Sequence, residues 1–257
     1  MTGFRVLVLK ELLESWRTRR LAAVTGLFVV LGIISPLTAR YLPEILKAAL
    51  GSQLTVPIPV PTAADAVLQV QKNLGQLGAF AAIVLAMGAV AAEKERGTAA
   101  FILTKPASRG AFLGAKLAAL GMVLALATLV SVGIAWAYTA ILFEPGPIGG
   151  WIALAVLSWL ALTAWASITF LASTVSGSSA LAAGVGVVAL IGLSLIGAVP
   201  QVGRFLPAGL DGPALALAAG LGAGFRSDEL VTAVLGSIGI VAASAVVAWL
   251  SFRRQEL

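Results

Sequence analysis

The chain has 257 residues, of which 60% are hydrophobic and only 11% charged, against about 25% charged in an average soluble domain; its mean hydropathy is +1.02. A water-soluble domain of this size cannot hide so much apolar surface, which excludes a soluble enzyme and a disordered chain and leaves a polytopic membrane protein. With no cysteine and no histidine, disulfide scaffolds, thiolate or imidazole metal sites and histidine-based triads are excluded as well.

Taken in chain order, residues 1–20 read as an amphipathic helix. Phe4, Val8, Leu9, Leu12, Leu13 and Trp16 fall on one stripe, and Lys10, Glu14 and Arg17 fall on the other. Such a helix lies in the membrane face as an anchor, or as an elbow that also touches a cytosolic partner. Charge-free intervals then place six spans, near 21–39, 73–92, 117–143, 150–172, 180–199 and 230–252. The first is expected to be retained rather than cleaved, because its apolar run is long and Leu37 makes a poor cleavage-site residue before Ala39. The polar patch 173–179 divides the fourth span from the fifth. Residues 212–225 are uncharged but short and rich in glycine, and read as a re-entrant or interfacial segment rather than a seventh span.

Two long loops follow from this layout, 40–72 and 200–229. In the first, Pro57, Pro59 and Pro61 make an extended run. Thr62 then caps a short helix with Asp65 three residues on. Six spans put both termini on one side. Twelve of the 17 Lys and Arg residues fall on that side and five on the other, so the positive-inside rule makes the termini cytoplasmic and both long loops external.

The spans so drawn contain no Asp, Glu, Lys or Arg, which argues against a proton-driven carrier. Ser131, Ser158, Thr163, Ser167, Thr169 and Ser194 are read as bonding back to helix carbonyls or packing between helices. The phosphate-loop pattern is missing, so energy for active transport must arrive from another polypeptide.

The segment 93–116 is the informative one. It opens with the alternating charges Glu93, Lys94, Glu95 and Arg96. Gly97 breaks the outgoing helix, Thr98 caps a short new one bearing Phe101, Ile102 and Leu103, and Pro106 stops it. Ser108 then caps the third span. An apolar knob flanked by charges suits docking on a soluble partner, the charges fixing orientation; the same segment also reads as an ordinary interfacial turn.

The string Glu93-x-x-x-Gly97-Thr98, followed by Leu103-Thr104-Lys105-Pro106-x-Ser108-Arg109 and Lys116, resembles the first cytoplasmic loop of type-2 permease subunits of ATP-binding-cassette (ABC) transporters. The run Pro61-Thr62-Ala-Ala-Asp65 and the start Lys10-Glu11 fit a prokaryotic branch of that family. The resemblance implies an all-α membrane protein with six transmembrane helices, an N-terminal elbow helix and a short coupling helix. It implies two permease chains and two copies of a separate cytosolic ATPase subunit, which binds ATP and Mg²⁺; this chain itself is expected to hold no cofactor or metal, to be no enzyme and to bind no nucleic acid. Carried over by position, Glu93, Lys94, Glu95, Arg96, Gly97, Thr98, Phe101, Ile102 and Leu103 form the coupling region, with Lys10, Glu11 and Glu14 as elbow-helix contacts.

The function expected is the membrane subunit of an ATP-driven exporter of lipophilic or amphipathic cargo, a homodimer in a prokaryotic inner membrane. Small residues Ser178, Ala182 and Gly186 at i, i+4, i+8 are candidates for helix packing or the dimer interface, as are Gly239 and Ala243. The alternatives are a force-transmitting subunit that moves no cargo and, outside the family, an ATP-independent channel, carrier or scaffold.

Overall fold

A computed structural model describes residues 2–50, 60–97, 108–144, 146–221 and 226–255. Of the loop residues singled out above, Pro57, Pro59, Thr98, Phe101, Ile102, Leu103, Thr104, Lys105 and Pro106 lie outside the described residues. Those described are helical, with no strand among them. Helix α1 (Thr2–Arg17) turns at Thr18-Arg19, where Arg19 takes a left-handed φ of 58°, into α2 (Arg20–Leu50). Next come α3 (Ala63–Asn73), a π-helical turn (Leu74–Gly78), α4 (Ala79–Met87) and the short α5 (Ala91–Glu95). Helices α6 (Arg109–Leu142), α7 (Ile148–Val175) and α8 (Ser179–Gly197) are followed by a one-turn α9 (Pro200–Gly203), a 3₁₀ turn (Pro207–Leu210), α10 (Asp211–Ala218) and α11 (Ser227–Arg253).

Six helical stretches are long and apolar enough to cross a membrane: α2, the run from α3 through α5, α6, α7, α8 and α11. Several begin or end away from the charge-free intervals. Helix α2 runs on to Leu50 through Pro36 and Pro43, each of which removes one backbone donor without ending the helix. The stretch drawn as 73–92 starts at Ala63, because α3 passes into α4 through the π turn with no break. Spans drawn by charge alone therefore stopped short: the intervals as drawn are free of charge, but the helices that contain them also carry Arg20, Arg40, Glu44, Lys47, Asp65, Lys72, Glu93, Lys94, Glu95, Arg109, Lys116, Asp228, Glu229 and Arg253 outside those intervals. The expected cap of α3 is present, with the Asp65 carboxylate accepting from the Thr62 N–H at 2.8 Å and its hydroxyl at 2.7 Å.

Helix α7 is the centre of the bundle. Its most apolar window is 72% buried, against 17% for α8 and 17% for α11, and α4, α6, α8, α10 and α11 all pack on it. It carries no charge, and small or hydroxyl residues line it where neighbours press closest (Ala164, Ala166, Ser167 and Thr169 among them). Two of the expected hydroxyls bond back to their own helix: Ser167 to the Ala164 carbonyl and Thr169 to that of Trp165. Ser158 instead donates to Gln71 of α3 at 3.3 Å.

Large side chains such as Leu181, Val188 and Leu195 of α8, and Val231, Leu235 and Val246 of α11, are left bare. In water this surface would be costly; in hydrocarbon it is at home.

Several glycines sit at close backbone crossings, Gly32 and Gly150 among them. A Cβ built on Gly32 of α2 would lie 2.4 Å from the Ser131 carbonyl oxygen of α6, and one on Gly150 of α7 would lie 2.0 Å from that of Leu217. Overpacking of this kind costs about 1–3 kcal/mol. Gly32→Val is therefore expected to lower the melting temperature of the detergent-solubilised chain, read by tryptophan fluorescence, whereas Gly26→Val on the same helix, with nothing within 4 Å of its Cβ, leaves it near wild type.

Candidate functional site

The base of the loop is where the named residues converge. Gly88 ends α4, and the chain turns through Ala89 and Val90 into α5. The first donors of α5 have no partner within so short a helix. Ser173 of α7 supplies one: its hydroxyl oxygen accepts from the N–H of Val90 at 3.1 Å and of Ala91 at 3.0 Å. At the other end Gly97, with φ of 67°, takes the left-handed conformation that closes the turn. Ser108 caps the returning helix, accepting from the Ala111 N–H at 3.1 Å.

The four charges between these stops do not share one outward face. Glu93 is turned in: its carboxylate lies 2.7 Å from the Lys116 ammonium of α6, which also meets Glu11 of α1 at 3.0 Å. These side chains are 11%, 5% and 15% exposed. Lys10 adds a second cation, 3.0 Å from both Glu11 and Glu14 and 3.8 Å from Glu93. Burial alone lowers the pKa of Lys10, but hydrogen bonds and charge from Glu11 and Glu14 outweigh it and raise it. For Glu14 burial pushes upward, yet the Lys10 hydrogen bond and charge bring the carboxyl below its usual range. Carboxylate oxygens of Glu11, Glu14 and Glu93 lie within 4.8 Å of one another, a spacing that a cation could bridge, and Lys10 and Lys116 already fill that role.

Lys94 reaches across to α7 and the C-terminal end of α11. Its ammonium donates to the Thr174 carbonyl and to the Gln255 side chain. It also lies 5.7 Å from the Phe252 ring centroid. Beside it, Arg109 donates to the carbonyls of Phe252, Arg253 and Gln255 at 2.9–3.1 Å, satisfying the orphan acceptors where α11 ends. Phe252 stacks on Phe112 in a small apolar cluster with Val90 and Phe170. Glu95 accepts from the Ser179 N–H at 2.7 Å and its hydroxyl at 3.1 Å, a charge cap at the start of α8. The Arg96 backbone N–H donates to the Ala92 carbonyl at 3.3 Å, but its side chain is exposed and makes no hydrogen bond or ion pair among the described residues. Through Glu93, Lys94 and Glu95, then, the loop base is fastened to α1, α6, α7, α8 and the end of α11.

On α1, Val8, Glu11 and Leu12 turn toward the bundle, while Phe4, Leu9, Leu13 and Trp16 are left exposed. The expected apolar stripe is split, because the acid at Glu11 must face Lys116 and takes its neighbours with it. Among the small residues of α8, Ser178 caps the helix, accepting from the Leu181 N–H at 3.4 Å. Ala182 and Gly186 are buried within the chain; a Cβ on Gly186 would meet Thr169 of α7 at 2.4 Å and Ile83 of α4 at 3.0 Å. Sequence reading missed Ser173, Thr174 and Gln255, which carry no local signal and matter only because α7 and the end of α11 stand beside the loop.

Six helices long and apolar enough to cross a membrane, with a short polar loop base fastened to several of them, define a polytopic membrane protein. Residues 5–218 match the model of the ABC-2 family transporter proteins. A curated relative, the uncharacterized transmembrane protein YxlG of Bacillus subtilis (strain 168), is 25% identical over 212 residues, covering 81% of this chain and 82% of that protein. The probable ABC transporter permease protein NosY of Stutzerimonas stutzeri is 34% identical over 145 residues, 54% of this chain and 46% of that protein. The chain belongs to the ABC-2 transporter family: it is a multi-pass membrane protein, the type-2 permease subunit of an ABC transporter.

Lys116→Met leaves the carboxylates of Glu11 and Glu93 in a poorly hydrated place without their buried cation, facing only the more exposed Lys10. Breaking a buried pair in this way costs about 3–5 kcal/mol. The single variant is expected to lose most of its folded yield, and the triple variant Glu11→Gln, Glu93→Gln, Lys116→Met to recover much of it, as read by size-exclusion chromatography after mild heating.

Proposed function

We propose that this chain is one half of the membrane path of an exporter driven by a separate cytosolic ATPase, and that the segment around Phe101 is where mechanical work enters. The observation that supports it best is the fastening of the loop base. A push on residues 97–107 is passed through Glu93 and Lys116 to α1 and α6, through Lys94 to α7 and α11, and through Glu95 to α8. A loop tied at one place only would absorb that push by bending.

In this reading the termini are cytoplasmic, in a prokaryotic plasma membrane, and α1 is the elbow helix. Two copies of the chain meet through apolar faces left bare on the bundle, those of α8 and α11 being the largest candidates. Two ATPase subunits bind ATP and Mg²⁺, and their closure rocks the permease pair. The wholly uncharged α7 and α8 suit lipophilic or amphipathic cargo better than free ions.

Two measurements test this. Tagged chain purified from its native membrane is expected to bring down an ATP-hydrolysing subunit, and Phe101→Asp to lose it; equal recovery from both forms counts against the docking role. The chain has no cysteine, so single cysteines report topology directly. Val60→Cys, at a position 84% exposed, is expected to react with an impermeant maleimide in intact cells, and Arg96→Cys only after permeabilisation. The reverse pattern removes the loop from the ATPase side.

A further inference from the structure

At the opposite end of the bundle from the termini, a cavity of about 430 Å³ lies between α3, the π turn, α7, α8 and α10. That volume is within the range of small-molecule sites, roughly 300–1,000 Å³. Its wall is mostly apolar, from Leu74, Leu162, Trp165, Leu190 and Leu215, with Lys72 and Gln76 at its edge. Against that wall stands a short polar chain. Ser158 donates to the Gln71 side-chain oxygen at 3.3 Å, and the Gln71 amide donates to one carboxylate oxygen of Asp211 at 2.5 Å. The second Asp211 oxygen has no hydrogen-bond or ion-pair partner among the described residues.

Three features set this carboxylate apart. Asp211 opens α10, where any acid is favoured by the helix dipole, but a fully exposed acid would serve that end. Here the group is half-buried, and burial pushes its pKa up to about 6 against the opposing Gln71 hydrogen bond. A helix-opening acid also has no need of an amide held in place by a third residue on another helix. Finally, the cavity is edged by the π turn Leu74–Gly78, and π turns inside α-helices mark functional sites more often than chance.

We propose that this cavity binds an amphipathic amine, its ammonium on the free oxygen of Asp211 and its hydrocarbon along the Leu162, Trp165 and Leu190 wall. A carboxylate half out of water with one oxygen unused is matched by a cationic hydrogen-bond donor, the strongest partner available to it. Trp165 adds an aromatic surface of the kind that favours cations. The site belongs to a single chain and needs neither nucleotide nor a second copy, so its test stands apart from the export reading.

The test is equilibrium dialysis of radiolabelled dodecylamine against the full-length chain in nanodiscs of uncharged lipid, with empty nanodiscs as background. Saturable binding is expected, displaced by unlabelled dodecylamine and not by dodecanol, its neutral twin. Asp211→Asn is expected to weaken it by about tenfold or more, the effect of losing one charged hydrogen bond, while Asp211→Glu keeps it within a few fold. Binding should also fall as pH drops from 7.5 to 5, when Asp211 takes a proton. Of the elements packed on α10, α7 and the 3₁₀ turn carry no charge, and α3 carries Asp65, committed to Thr62, and Lys72, which also edges the cavity. Ser194→Trp, which fills the cavity from α8 without touching Asp211, is expected to abolish binding and decides the matter if Asp211→Asn does not fold. Unchanged binding in either variant, or displacement by dodecanol at the same concentrations as the amine, overturns the proposal.

Discussion

The Lys116 ammonium sits between the carboxylates of Glu93 and Glu11, at 2.7 and 3.0 Å, with each side chain at least 85% covered. A lone charge so placed costs several kcal/mol, and attraction offsets that cost only when the geometry is close and the remaining lone pairs and protons are occupied. The consequence is positional rather than a gain in stability. α1, the end of the α3–α5 run and α6 hold one arrangement, because sliding any of them by an ångström or two strands a charge. The ties made by Lys94, Arg109 and Glu95 extend the same logic to α7, α11 and α8.

The two ends of the bundle thus obey different physics. Near the termini, charges are paired across helices and leave Arg96 and Gly97 as the points from which the chain departs toward the loop. In the middle, association rests on close packing alone, and the glycines and hydroxyls of α2, α6 and α7 allow backbones to meet. At the far end the chain folds back through α9, the 3₁₀ turn and α10, and encloses polar groups next to apolar ones. Of the three regions, the end near the termini is the most heavily cross-linked by polar contacts: Glu93, Lys94 and Glu95 tie it to α1, α6, α7, α8 and the end of α11.

What could be read from the sequence was local. Thr62 with Asp65, the stop at Gly97 and the cap at Ser108 are signals spanning three or four residues, and each appears in the structure. The existence of six apolar helices is likewise carried by composition over about 20 residues. Boundaries were less legible, because charge marks where a helix becomes costly to bury rather than where its hydrogen bonds end; α2 passes Pro36 and Arg40, and α3 begins ten residues before the apolar run. Pairings were not legible at all. Glu11 and Lys116 are 105 positions apart, and Gln71 and Asp211 are 140 apart. Nothing near Glu93 in the sequence says that it faces inward while Arg96 faces out. Of the small residues Ser178, Ala182 and Gly186, the first caps α8 and the other two are buried within the chain, and spacing alone did not say against which neighbour; Gly186 meets Thr169 and Ile83 of its own chain.

The central claim is that the loop base is stiff because it is fastened on every side. Native-state hydrogen exchange on the full chain in nanodiscs tests it most directly, since exchange reports local opening residue by residue. The amides of residues 90–95, two of which donate to Ser173, are expected to exchange as slowly as those in the middle of α7, and to speed up by orders of magnitude in Lys116→Met. Exchange at 90–95 as fast as at the exposed Arg96-Gly97 turn in the wild-type chain, or no change on removing Lys116, would contradict the account.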